Sequence, residues 1–161
     1  MRKQELDNWV ENGGELPDEL TEDEKSYLQG LGWSVVGMRW YNGLKLSEHN
    51  CLHGEPHGKQ VSWHENGQKW YEYNYLNGGQ HGKQVSWHEN GQKDWEYHYH
   101  HGKLHGVYKG WYENGQKDWE YHHHHGKLHG VREAWKDDGT LYKHEEYAYG
   151  ILLKDHLKEE T

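Results

Sequence analysis

The chain is 161 residues long, about one domain's worth, and only 32% of it is apolar, with a mean hydropathy of -1.39 and a net charge of -9. Such values fit a disordered chain, except that it holds 10 Trp and 13 Tyr and no Phe, and each buried ring withdraws roughly 150–250 Å² from water. A core therefore has to be built from Trp and Tyr, whose polar atoms each need a partner. No apolar run approaches the ~20 residues of a membrane helix, and the opening Met1–Val10 segment lacks the apolar stretch of a signal peptide. The single cysteine, Cys51, excludes an internal disulfide framework and predicts a reducing, cytoplasmic setting.

Residues 1–29 set three basic residues against nine acids and so carry -6 of the -9. Leu6, Trp9 and Val10 fall on one helical face, and Gly13-Gly14 stops that helix. Thr21-Glu22-Asp23-Glu24 reads as a capping box opening a second short helix that ends near Gly30. Residues 1–29 are expected to be an acidic helical cap on the rest of the chain, since a repeat array needs polar ends to stay soluble.

From residue 30 to 149 the chain repeats itself. His57-Gly58, His81-Gly82, His105-Gly106 and His129-Gly130 recur every 24 residues, as do Trp63, Trp87, Trp111 and Trp135, then Gly67, Gly91, Gly115 and Gly139, and then Gly78, Gly102, Gly126 and Gly150. Four units cover 54–77, 78–101, 102–125 and 126–149, and a worn fifth precedes them at 30–53, where Trp40-Tyr41-Asn42-Gly43 echoes the motif. Within a unit, Lys59–Trp63 and Tyr71–Tyr75 alternate with period two, the strand signal, and Glu65-Asn66-Gly67 between them is a hairpin turn. A three-residue loop pairs residue 63 with 69 and 61 with 71, which places Trp63 and Tyr71 on one aromatic face. The other face then carries Gln60, Ser62, Glu72 and Asn74 and their equivalents. Trp70 is the misfit of this register and is expected to be an exposed ring. The His-Gly pairs read as bends between hairpins. About ten strands in one antiparallel meander predict an all-β, strongly twisted half-pipe. The tail, 150–161, opens with Ile151-Leu152-Leu153 and reads as a helical turn or two over the far end.

The unit W-[HY]-E-N-G-Q-K-x-x-E, then Y-x-x-G and H-G, matches Trp63–Lys69, Glu72, Tyr75, Gly78 and His81-Gly82, and recurs through residue 150. It resembles the MORN-repeat variant and is similar to the YwqK-like antitoxin family, over about three quarters of the chain. The resemblance implies a single twisted antiparallel meander of about five MORN-type β-hairpins and a non-enzymatic repeat protein. Relatives of this kind occur as bacterial antitoxin or immunity proteins and in phage and giant-virus genomes, and MORN domains of larger proteins bind and scaffold. The sequence departs from the usual pattern in its histidines and in Lys69 and Lys93, where an aliphatic residue is common.

Catalytic motifs are not evident: no phosphate-binding loop, no paired carboxylates, and a Cys51 flanked by His49 and His53 that is better read as a small buried residue. No enzyme activity and no cofactor are expected. An acidic chain is a poor partner for nucleic acid or anionic membranes and a better one for a basic protein. The expected function is neutralisation of a basic toxin, effector or nuclease, as an antitoxin, immunity protein or phage-encoded inhibitor. Its contact residues would be Asp18, Glu19, Glu22, Asp23 and Glu24 in the cap, with Trp95, Tyr97, Trp119 and Tyr121 on the aromatic face. A self-associating scaffold or virion-assembly component is the alternative. A third reading is a metal-binding or pH-responsive module: Glu96, His98 and His100, and again Glu120, His122 and His124, stand at alternate positions of one strand, where ligands sit roughly 6–7 Å apart. The 17 histidines predict loosening below about pH 6.

Overall fold

A computed structural model describes residues 2–17 and 19–158, with side chains except at 36–40. Two helices come first, α1 (Lys3–Asn12) and α2 (Glu22–Gly30). Thirteen strands follow: β1 (Trp33–Tyr41), β2 (Leu44–Leu52), β3 (Glu55–Trp63), β4 (Lys69–Leu76), β5 (Gly79–Gln80), β6 (Gly82–Trp87), β7 (Lys93–His100), β8 (Lys103–Leu104), β9 (Gly106–Trp111), β10 (Lys117–His124), β11 (Lys127–Trp135), β12 (Leu141–Ala148) and β13 (Ile151–Asp155). They form an antiparallel meander in chain order, so the fold is all-β with two short N-terminal helices. Two compact units divide the chain, Met1–His81 and Gly82–Thr161.

The first unit holds the helices and β1-β2-β3-β4, with β5 on β4. Thr21 and Glu24 make both bonds of the capping box, and Gly13 ends α1 at φ +69°. Leu6 and Trp9 of α1, Leu28 of α2 and Leu52 of β2 form the buried apolar core, flanked by Val10, Leu16, Leu20, Tyr27 and Trp33. The helices are thus more than a polar lid: they supply three of these four side chains. His57 fastens them to the sheet. Its Nε2–H donates to the Trp9 carbonyl at 2.8 Å, and its Nδ1 accepts from the Asn77 amide at 3.3 Å. Gly58 leaves no room for a side chain, because a Cβ there would come within 2.3 Å of the Trp9 indole nitrogen.

Two turn types build each of the four clear repeats. The Glu-Asn-Gly loop is closed by His64 N–H to the Gln68 carbonyl at 2.8 Å, and Trp63 pairs with Lys69, as the three-residue loop predicts. Immediately beyond, the register shifts by one: Ser62 pairs with Tyr71 and Val61 with Glu72. Trp70 is the bulged residue and is 51% exposed. The same shift follows Trp87, Trp111 and Trp135. The expected pairing of 61 with 71 is therefore corrected, and one extra residue reverses the face on which the second strand's rings lie. The other turn is a two-residue loop at Asn77-Gly78, His101-Gly102, His125-Gly126 and Tyr149-Gly150, with φ positive at both positions. That is the type I′ signature. These pairs are the bends between hairpins. The His-Gly pairs assigned that role instead sit inside the strand path, where Gly58, Gly82, Gly106 and Gly130 take positive φ. The tail is also corrected: Ile151–Asp155 is not helical but pairs with β12 as the last strand.

Because of the shift, Trp63, Trp111 and Trp135 are half-buried and lie under ammonium groups, Lys45 over Trp63 at 5.9 Å, Lys93 over Trp111 at 5.5 Å and Lys117 over Trp135 at 4.9 Å. Trp9→Ala should cost about 3–5 kcal/mol, the range for a fully buried large side chain, while Trp111→Ala should cost about half of that. Urea unfolding of the two variants checks it. Equal losses would return Trp111 to the core.

Candidate functional site

In the second unit every element is a strand of the meander, and the faces of those strands differ sharply. One face carries rows of rings set between small residues. Across neighbouring strands Ser86, Trp95, Gly110, Trp119 and Ala134 stand opposite one another, so each indole lies beside small neighbours on both sides. At Gly110 a Cβ would meet the Trp119 ring at 2.2 Å. The adjoining rings form a continuous ladder: Trp95 stacks on Tyr97 at 4.5 Å, Tyr97 meets Tyr108 at 4.7 Å, Tyr108 meets Trp119 at 4.4 Å and Trp119 stacks on Tyr121 at 5.2 Å. The Arg132 guanidinium lies over Tyr121 at 4.9 Å and reaches Glu145 at 3.4 Å. Burial and neighbouring groups push the Tyr108 hydroxyl above its usual pKa. All of these rings are half-buried, neither fully covered nor fully exposed. The corresponding face of the first unit sets Tyr71, Tyr73 and Tyr75 around a shallow cavity of about 360 Å³ that also touches His49, Cys51 and Gln60. The Cys51 thiol is pushed up by burial and by Glu55, which makes it a poor nucleophile.

The opposite face is a charge ladder. Glu72 meets Lys69 at 2.7 Å and Lys59 at 3.4 Å, Glu96 meets Lys93 at 2.5 Å and Lys83 at 3.1 Å, and Glu120 meets Lys117 at 2.8 Å and Lys109 at 3.8 Å. Burial raises these carboxyls, yet their lysine partners hold all three below the usual range. The same lysines occupy the carboxylates of the two strand triplets. Glu96 and Glu120 are committed to two ammonium groups each, and the His122 ring bonds the Val131 carbonyl at 2.9 Å. Among the described residues, neither Glu96, His98 and His100 nor Glu120, His122 and His124 converge on one point. The expected polar face is also divided: Gln60, Ser62, Gln84 and Ser86 are buried beside the rings, while Glu72 and Glu96 share the tryptophan face.

The histidines that do converge are His105, His124 and His125, whose candidate ligand atoms lie within 4.8 Å of one another. Each comes from a different structural feature. His105 precedes the Gly106 kink, His124 ends β10, and His125 is the first turn residue at φ +49°. Alternation along one strand does not reveal such a group. The visible signal is the 24-residue His-Gly column together with the His-His pair before Gly126, and only the hairpin bend brings the two together.

The acidic candidates are spread over the cap. Asp18 lies outside the described residues. Glu19, Glu22 and Asp23 are exposed. Glu24 is 2% exposed and pairs with Arg2 at 3.1 Å, so it holds α1 to α2 and presents no charge to a partner. Hydrogen bonds from Arg2 and Thr21 hold its carboxyl far below the usual range.

The fold and its faces define a class: a tandem array of β-hairpins presenting a ring-lined surface. Residues 56–77, 80–101 and 104–118 match the family model described as MORN repeat variant. MORN repeats are in general protein- and membrane-binding modules. No curated protein matches the chain. Among the described residues no helix is long and apolar enough to cross a membrane.

Three imidazoles titrate low. Burial depresses His49 and His123, the latter aided by His122, and burial with His125, His105 and His129 depresses His124. An unfolded chain takes up these protons first, so their contribution to stability is complete above about pH 6.5 and fades as pH falls below it. The carboxylates of the charge ladder, shifted down, act in a lower region: their contribution is lost only below about pH 4.5. The melting temperature should therefore fall in two stages. His123→Tyr, which places the residue of Tyr75, Tyr99 and Tyr147 in the same repeat column, should shrink the first stage and leave the second unchanged. A melting temperature constant from pH 7 to pH 5 would contradict this.

Proposed function

We propose that the chain is a non-enzymatic binding protein that neutralises a basic protein partner by covering its working surface, in the manner of an antitoxin, immunity protein or phage-encoded inhibitor. The observation that carries this reading is the ring ladder of Trp95, Tyr97, Tyr108, Trp119 and Tyr121, left only partly buried on a unit whose described elements are all strands of one meander. Tyr, Trp and Arg dominate interface hot spots because their large rigid surfaces lose little entropy on binding. Exposed Glu19, Glu22 and Asp23 supply charge that steers a basic partner and acts mainly on the association rate. No nucleic acid and no cofactor enter this reading, and its setting is the cytoplasm.

Cross-linking capture from the native cell, followed by kinetics with the captured protein, tests it. Tyr97→Ala and Tyr121→Ala should raise the dissociation rate at least tenfold, as expected for losing roughly 1.4 kcal/mol or more at a hot spot. Tyr142→Ala, an exposed bulge residue, should leave it unchanged. Charge reversal at Glu19, Glu22 and Asp23 should slow association and flatten its salt dependence. Deleting residues 1–29 is the poorer experiment, since it removes Leu6, Trp9 and Leu28 from the core. A partner bound equally by all of these variants would overturn the assignment.

One observation favours the alternative of a self-associating scaffold. The last strand, β13, exposes Ile151, Leu152 and Leu153 by 69%, 47% and 61%. An apolar edge strand is a template for pairing with another copy. Sedimentation of the wild type against Leu153→Lys separates the readings: a dimer abolished by the lysine supports assembly, and a monomer in both removes it.

A further inference from the structure

We propose that His105, His124 and His125 form a binding site for one transition-metal ion of the zinc class. Imidazole nitrogens suit zinc, copper and nickel, whereas magnesium and calcium require oxygen ligands. The three rings are mutually close, with centroids 5.2 Å apart for His105 and His124, 5.5 Å for His105 and His125, and 4.3 Å for His124 and His125. The candidate ligand atoms lie within 4.8 Å of one another.

A tetrahedral ion with nitrogens at about 2.1 Å holds them roughly 3.4 Å apart. Closing the cluster onto an ion therefore takes shifts of ~1 Å in the rings, within reach of small χ rotations. A second observation points the same way. The Nδ1 of His105 is buried and has no hydrogen-bond partner. At the same repeat position His57 Nδ1 accepts the amide of Asn77, and His129 Nδ1 approaches the amide of Tyr149 at 3.4 Å. The ring of His105 has lost that structural role and leaves a nitrogen unspent.

The same three columns hold His57, Leu76 and Asn77 in the first clear repeat and His129, Ala148 and Tyr149 in the last, so neither can offer three imidazoles, whereas the second repeat carries His81, His100 and His101 there. Among the described residues, the trio whose ligand atoms lie within 4.8 Å of one another is that of the third repeat. Three protein nitrogens leave a fourth position to water or to a group from a bound partner, the arrangement of an open rather than a closed zinc site. The charge ladder and the ring ladder contribute nothing to it: their carboxylates are held by lysines, and their rings carry no ligand nitrogen.

Titration calorimetry with zinc chloride on the full chain, with cobalt(II) absorption as a geometric probe, tests the proposal. One equivalent should bind, with cobalt bands characteristic of imidazole ligation. His125→Asn restores the residue of Asn77, which tolerates the same turn, and His124→Leu restores that of Leu76. Each should weaken binding by roughly tenfold or more, the least that even an outer partner's loss costs. His105→Gln should do the same, and because it replaces a partly buried ring, the turn variant His125→Asn keeps the test valid if it fails to fold. The paired variant His98→Gln/His122→Gln should bind as the wild type does. Absence of a saturable equivalent, indifference to His125→Asn and His124→Leu, or an equal loss in the His98/His122 variant would each overturn the assignment. Zinc binding is read on the isolated chain, so its outcome is independent of whether the ring ladder engages a protein.

Discussion

The arrangement of side chains in this protein depends on one extra residue per repeat. After each three-residue loop, Glu-Asn-Gly in three repeats and Asp137-Asp138-Gly139 in the last, the returning strand carries a bulge at position 70, 94, 118 or 142, and the register moves by one. Side chains alternate with period two, so a one-residue shift sends a whole strand's set to the other face. Tyr71, Tyr73 and Tyr75 thereby come to lie beside Ser62 and Gln60 instead of Trp63. In the second unit the same shift seats Trp95 opposite Ser86 and Trp119 opposite Gly110. A surface of alternating large and small residues results, in which the Trp119 indole lies over the backbone of Gly110.

The other face gains from the same device. With the rings moved away, Trp63, Trp111 and Trp135 are left with lysines and glutamates, and cation–π and ion-pair contacts replace apolar packing. Individually such half-exposed contacts are worth little. Repeated in register, they let a sheet with few aliphatic side chains keep both surfaces ordered. The clearly apolar packing is concentrated in the first unit, where Leu6, Trp9, Leu28 and Leu52 close around the His57 bond to the Trp9 carbonyl. The helices therefore serve the fold first. Only their outward acids, Glu19, Glu22 and Asp23, remain available for a partner.

Repetition also makes specialisation visible. Where His57 and His129 hold the turn of their repeats, His105 does not, and the turn beside it carries two further imidazoles. A change confined to one repeat leaves the neighbouring pairings intact, because each hairpin contacts chiefly those on either side of it. The ring ladder and the histidine cluster can thus carry separate chemistry on one scaffold.

By itself the sequence determined the 24-residue unit, the strands, the Glu-Asn-Gly loop, the helices and their capping box, because each rests on local preferences: period-two alternation, glycine at positive φ, a threonine three residues before a glutamate. The exposure of Trp70 was legible for the same reason, as the residue that fitted neither face. Only the tertiary structure decided which face each ring occupies, since the bulge's effect on register depends on pairing with a neighbouring strand. It alone decided that Glu24 is spent on Arg2, that Glu96 and Glu120 each gain a cross-strand lysine, Lys83 and Lys109, and that Ile151–Asp155 pairs as a strand, because contacts with a neighbouring element outweigh local propensity. It also brought His105 to His124 and His125, distant from it in the chain, by folding a kink against a turn that no spacing rule along a single strand describes.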